Sequence, residues 1–265
     1  MRRPHDHTLA LAVAEVLTGG GAMGAQARAL DWVATSLGPV ARWPQSLRTA
    51  ASICLASRFP MIILWGPDLV QIYNDGYWPI LGTKHPEAMG QPTRACWPEV
   101  WAFNAPIYDA VRARGEVVYA EDQLFRIARS GYVEEAYFTL CYSPIRDESE
   151  GVGGILVTVL ETTPRVLGER RLRTLHDLAA RSGAATTVRE ACVSAARALA
   201  DNPADIPFAL LYLLDATGGA ARLAATVALE PGTAATPPSS TWERGPTWRP
   251  PGPWRGCWRR DGPTW

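Results

Sequence analysis

Residues 59–82 read Phe-Pro-Met-Ile-Ile-Leu-Trp-Gly-Pro-Asp-Leu-Val-Gln-Ile-Tyr-Asn-Asp-Gly-Tyr-Trp-Pro-Ile-Leu-Gly. Met61 to Trp65 is a short apolar run that stops at Gly66-Pro67, a strong turn signal. Leu69 to Tyr73 is a second run of the same kind. The pair predicts a strand, a turn and a second strand. Asn74 and Asp75 can then cap a short helix over Gly76–Leu81, with Gly82 closing it.

Upstream, residues 1–30 read as a flexible lead broken at Gly19-Gly20-Gly21. Arg2 and Arg3 precede the apolar run Leu9–Leu17, a weak imitation of a secretory signal. Glu15 interrupts that run, His5-Asp6-His7 dilutes the basic start, and the run is too short to span a bilayer. The expectation is a cytoplasmic protein without a membrane span. Asp31-Trp32 through Trp43-Pro44 is rich in turns. Gln45 to Ser57 reads as a helix, with Leu47, Ala50, Ala51, Cys54 and Leu55 on one face.

Downstream, Lys84 to Gly90 is read as a short helical piece, and Phe103 to Arg114 as a longer helix stopped by Gly115. Strands are expected over Val117–Ile127, Tyr132–Ile145 and Val152–Leu160. The middle one alternates Tyr137, Thr139, Cys141 and Ser143 against Phe138, Leu140 and Tyr142. Hairpins at both ends with helices between them predict an α+β domain over 31–163. Its core would be a five-stranded antiparallel sheet with helices on one face.

Thr163 as N-cap and Pro164 at the first helical position start a long exit helix, 164–182. Leu172, Leu175 and Ala179 fall at coiled-coil steps along it. Two readings follow: docking on the chain's own sheet, or a homodimer through residues 164–182. A second module, 184–235, begins with a helix over Thr187–Ala200 and strands over Phe208–Leu214 and Ala221–Ala228. This is too little to close a domain. The segment 236–265 is expected to be a disordered tail. From Ser239 it mixes Trp, Pro, Arg and Gly without periodicity, the composition of an out-of-frame reading of a GC-rich gene.

Bulk composition narrows the function classes. Apolar residues make up 47% and charged residues 20%, so a packed core is feasible. Lys+Arg and Asp+Glu are both 26, so no basic excess argues for nucleic acid. The five cysteines form no Cys-x-x-Cys pair, which argues against a zinc site or disulfide framework.

Residues 24–182 resemble the PAS-type sensory module at the N-terminus of certain bacterial hybrid sensor histidine kinases. The matching words include Leu37-Gly38-Pro39, Trp43-Pro44-Gln45-Ser46-Leu47, Phe59-Pro60-Met61, Trp65-Gly66-Pro67, Tyr73-Asn74-Asp75 and Pro79-Ile80-Leu81-Gly82. Tyr142-Ser143-Pro144-Ile145 and Glu161-Thr162-Thr163 extend the match. Residues 184–232 resemble the opening of a GAF domain. The resemblance implies the input part of a two-component phosphorelay sensor, acting on a downstream kinase or response regulator. The alternative reading is a sensor histidine kinase whose catalytic part lies outside this chain. PAS domains end their last strand with Asp-x-Thr, and Glu161-Thr162-Thr163 stands in that place. Glu161 and Thr163 are therefore the expected signal-transmission residues.

No catalytic residue is expected. His176-Asp177 lacks the Leu-Arg-Thr-Pro continuation of a phosphoacceptor site, and no Gly-rich ATP lid follows. Cys96 lies six residues after Gly90, where flavin-binding domains use three, and the helix Phe103 to Arg114 has no haem-ligating histidine. So neither a flavin nor a haem motif is present, and the cofactor is left unknown. His85, in His-Pro, is read as a turn residue. Aromatic side chains crowd the sheet and helices. The candidate ligand-binding residues are Trp65, Tyr73, Asn74, Tyr77, Trp97, Trp101, Tyr137 and Cys141, because small-molecule sites are largely apolar with a few polar groups. The acidic pairs Glu121-Asp122 and Glu134-Glu135 point to opposite faces of a strand and are read as solvated edges.

Overall fold

The structure, a computed structural model, describes residues 16–183, 185–216 and 219–241. It divides into two units, Met1–Val166 and Leu167–Trp265. In the first, helices α1 (Gly21–Ala29) and α2 (Gln45–Ala56) precede the hairpin β1 (Met61–Trp65) and β2 (Val70–Tyr73). Three helices follow, α3 (Trp78–Leu81), α4 (Thr93–Cys96) and α5 (Trp101–Arg114). The strands β3 (Val118–Ile127), β4 (Glu134–Arg146) and β5 (Val152–Glu161) complete it.

The five strands form one antiparallel sheet in the order β2-β1-β5-β4-β3, a PAS-like α+β fold. The two hairpin regions meet at its centre, where β1 pairs with β5 from Met61 opposite Thr158 to Trp65 opposite Gly154. A Cβ added at Gly154 would lie 2.5 Å from the Trp65 ring, so only glycine lets that ring lie across β5.

β1 and β2 are buried on both faces, which is why they read as unbroken apolar runs. α2 lies against β1, β2, β4 and β5. It buries Leu47, Ala51, Cys54 and Leu55, the face expected from its spacing. β4 alternates instead: Ala136, Phe138, Leu140 and Tyr142 are buried, and the residues between them are half-buried.

Three local expectations are corrected. The region read as a flexible lead contains α1, whose Met23, Gly24 and Ala27 are buried; residues 1–15 lie outside the described residues. Its N-cap Gly20 has no side chain, so the Asp75 carboxylate caps the helix from a distance, accepting from the amides of Ala22 (3.2 Å) and Met23 (2.7 Å). The sequence predicts Asp75 as a local cap. That role falls to Asn74 alone, whose Oδ1 accepts from the Tyr77 amide at 3.0 Å. Lys84 to Gly90 is turn rather than helix beyond the single 3-10 turn Gly82–Lys84.

The exit helix α6 spans Thr163–Ser182 and crosses from one unit into the next. Its first turn closes with the Val166 amide on the Thr162 carbonyl, which makes Thr162 the capping position. The Thr163 hydroxyl is thereby released for another use. In the second unit, Thr187 and Glu190 form a capping box at the start of α7 (Val188–Ala200). Strands β6 (Ala209–Leu214), β7 (Ala220–Val227) and β8 (Ser239–Thr241) make a three-stranded sheet in that order. β8 falls at the start of the segment read as a tail, pairing Ser239 opposite Arg222. The rest of that tail, 242–265, lies outside the described residues.

Candidate ligand cavity and exit-helix junction

The inward side chains of the sheet and the helices facing them enclose a cavity of about 60 Å³. β1 contributes Ile62 and Leu64, β3 Phe125 and Ile127, β4 Phe138, Leu140 and Tyr142, and β5 Val157 and Val159. The helical side contributes Tyr77, Ile80, Thr93, Trp97, Val100, Asn104 and Tyr108. None of these side chains carries a formal charge.

A few polar groups punctuate this lining. The Tyr142 hydroxyl donates to Asn104 Oδ1 at 2.6 Å, and Asn104 Nδ2 donates to the Val100 carbonyl at 3.3 Å. Tyr108 meets Tyr142 edge-on, with ring centroids 6.0 Å apart. Burial pushes the phenols of Tyr77, Tyr108 and Tyr142 well above the ordinary tyrosine range, so all three keep their protons as donors. Trp97 Nε1 is buried beside the Tyr77 hydroxyl and has no partner in hydrogen-bonding geometry.

Of the residues singled out from sequence, Tyr77 and Trp97 line this cavity. Trp101 packs beside it, its ring 5.9 Å from that of Tyr108 and under Arg94. Tyr73 is fully buried and its hydroxyl is 3.0 Å from His85 Nδ1. Asn74 organises the turn: it accepts from the Met61 and Tyr77 amides and donates to the Ser57 and Phe59 carbonyls. Trp65 lies against Gly153 and Gly154. Tyr137 and Cys141 belong to the other row of β4, opposite the inward Phe138, Leu140 and Tyr142. Tyr137 donates its hydroxyl to Glu135 at 2.6 Å, and Cys141 Sγ lies 3.6 Å from Ser143 Oγ.

Sequence reading missed Asn104 and Tyr108. Their four-residue spacing on α5 puts them on one helix face, and that was the available signal. Cys96 is buried, and that burial pushes its thiol up. Among the described residues no cluster of His, Cys, Asp and Glu is arranged to hold a metal, and no helix is long and apolar enough to cross a membrane.

A second constellation holds the start of the exit helix. Arg129 grips Glu161 with both terminal nitrogens, at 2.7 and 2.6 Å, and donates Nε to Glu134 at 3.1 Å. The Arg129 guanidinium holds the Glu161 carboxyl below the usual carboxylate range, overriding a burial effect that would raise it. Thr163 Oγ1 accepts from the Tyr137 amide at 2.8 Å and donates to Glu161 at 3.0 Å. Glu161 and Thr163 are thus joined to each other, and Thr163 to β4. Of the acidic residues read as solvated edges, Glu121 is exposed as expected and the other three are partnered. Glu134 pairs with Arg129, Glu135 receives Tyr137, and Asp122 pairs with Arg165. A β-bulge between Ala120 and Gln123 breaks the strand alternation at Glu121-Asp122.

No protein-family model and no curated protein matches the chain. Solved structures similar to it include a sensory box sensor histidine kinase from Vibrio cholerae: 15% identical, covering 44% of this chain and 87% of that one, TM-score 0.30. A Rhodobacter sphaeroides LOV protein is 14% identical over 58% of this chain and 90% of its own, TM-score 0.37. An RNA-binding light-oxygen-voltage receptor is 15% identical over 68% and 67%, TM-score 0.37.

Proposed function

We propose that this chain is a signal-sensing input protein of a two-component phosphorelay: a small uncharged molecule enters the cavity and biases the packing of the exit helix. The observation that carries the reading is the cavity's lining, sixteen residues without a charged side chain but with tyrosine, threonine, asparagine and tryptophan polar groups. A carboxylate would lose its hydration there without gaining a cation. A neutral molecule with one oxygen would keep a hydrogen bond. Size restricts the occupant further. Drug-sized ligands need about 300–1,000 Å³, and an engineered cavity of about 150 Å³ holds benzene. A void of about 60 Å³ suits only a few heavy atoms.

The expected mechanism is a population shift at the junction 161–165, passed to a partner through 164–182. The output is a downstream kinase or response regulator, as the resemblance to hybrid kinases implies. Acetone and acetate test the input side, since they have the same number of heavy atoms and differ in charge. At a ceiling of about −1.5 kcal/mol per heavy atom, four atoms give at best about −6 kcal/mol, or tens of micromolar. Titration followed by the Trp97 indole N–H resonance is expected to saturate in the millimolar range with acetone and to stay unsaturated with acetate. Equal response to both, or to neither, overturns the reading.

A further inference from the structure

Asp122 occupies the β3 bulge with φ 47°, a left-handed conformation that few residues other than glycine adopt within a strand. Asparagine and aspartate tolerate it best. Backbone outliers of this kind persist where the surrounding structure holds them, and they concentrate at switch regions. Two contacts and a pair of unpartnered atoms surround this one. The Asp122 amide donates to Thr139 Oγ1 on β4 at 3.3 Å. Its Oδ2 accepts from Arg165 Nη2 in the first turn of α6. Its Oδ1 and the nearby Thr162 Oγ1 are both buried without a partner in hydrogen-bonding geometry. The bulge therefore faces the beginning of the exit helix. Phe125 and Ile127, on the same strand, line the cavity.

We propose that Asp122 and Arg165 form a second clasp on the exit helix, separate from the Arg129–Glu161–Thr163 set and mounted on the strand that walls the cavity. Displacement of Phe125 by an occupant would move β3, and the bulge would carry that movement to Arg165. The second half of this proposal rests on the sensing role described above; the first half stands without it. The unpartnered Oδ1 and Thr162 hydroxyl give the clasp a second arrangement, in which a small shift of β3 lets them bond to each other and alters the hold on Arg165.

Hydrogen exchange of the amides 166–169 in the free chain tests the clasp with no ligand present, so its outcome is independent of whether the cavity binds anything. Asp122→Asn keeps a residue that tolerates the left-handed backbone and removes the charge. Arg165→Gln removes the partner, and Arg165→Lys preserves the charge. Loss of this partly exposed ion pair is expected to speed exchange there by about two- to fivefold in Asp122→Asn and Arg165→Gln, with Arg165→Lys close to wild type. Unchanged exchange in the first two variants overturns the clasp, as does equal acceleration across β4 and β5. Phe125→Leu tests the coupling. It is expected to alter exchange at 166–169 in the wild-type background and to lose that effect in Asp122→Asn. The same shift in both backgrounds overturns the link through β3.

Discussion

Tyr142 and Asn104 show how tightly single groups are held in this domain. Tyr142 is 1% and Asn104 7% exposed, and the bond between hydroxyl and amide oxygen is 2.6 Å long. Tyr142→Phe leaves Asn104 Oδ1 buried without a donor, at a cost of about 1–3 kcal/mol. The expected result is a lower urea midpoint with an unchanged slope. Glu161 gives a pH signature. Its carboxyl is held below the ordinary glutamate value by the Arg129 guanidinium, so the folded state favours the charged form. The stability it contributes is complete above about pH 4.5 and is lost as pH falls through the depressed folded value. Glu161→Gln is therefore expected to cost about 1.5–3 kcal/mol at neutral pH. The gap to wild type closes on acidification below that point, as read by denaturant melts across pH. At this scale the sequence was informative where a neighbour in the chain decides the role. Alternation separates Phe138, Leu140 and Tyr142 from Tyr137 and Cys141, but does not tell which row faces the cavity: the candidates Tyr137 and Cys141 fall on the other one. It was silent on Arg129, because nothing local marks an arginine whose partner lies 32 residues away.

Two elements depend on contacts from outside themselves. α1 is capped by Asp75, so Asp75→Ala is expected to cost about 0.5–2 kcal/mol, as for an ordinary cap. Faster amide exchange confined to residues 21–29 is the local mark of that loss. Gly82 ends α3 at φ 54° and ψ −123°, a region that side chains avoid. A Cβ there would lie 2.2 Å from the Arg129 carbonyl, which accepts the Thr83 amide at 2.8 Å. Gly82→Ala must push that backbone away, and with it the residue that grips Glu161. A loss of more than about 1–3 kcal/mol is expected in thermal or chemical melts. The strands and α2 were legible because their burial follows the period of the chain. α1 was not, because its cap is supplied from across the fold, and a triple glycine with a distant carboxylate looks like a break. β8 was missed for a similar reason: three residues are too few for a period, and only pairing with β7 makes them a strand.

At the scale of the whole molecule, α6 runs from the first unit into the second. Leu172 and Leu175 on it are 66% and 61% exposed. Arg170 and Arg181 on the same helix are paired with Asp205 and Asp201 within the second unit. If the exposed leucines form the seam of a dimer, Leu172→Glu with Leu175→Glu is expected to halve the mass seen by light scattering and to leave the circular dichroism of the sheet unchanged. The hairpins were readable from turn residues, but the strand order was not. The union of β1 with β5 joins opposite ends of the domain, and no local signal records it. That union has a consequence for synthesis. Met61–Trp65 leaves the ribosome long before Val152–Glu161, and until then one edge of an apolar strand has no mate. Until its final strand arrives, the nascent sheet presents an unpaired apolar edge that favours association with other chains. That strand is the one that runs into α6, so the helix is joined to the centre of the sheet only once the sheet has closed.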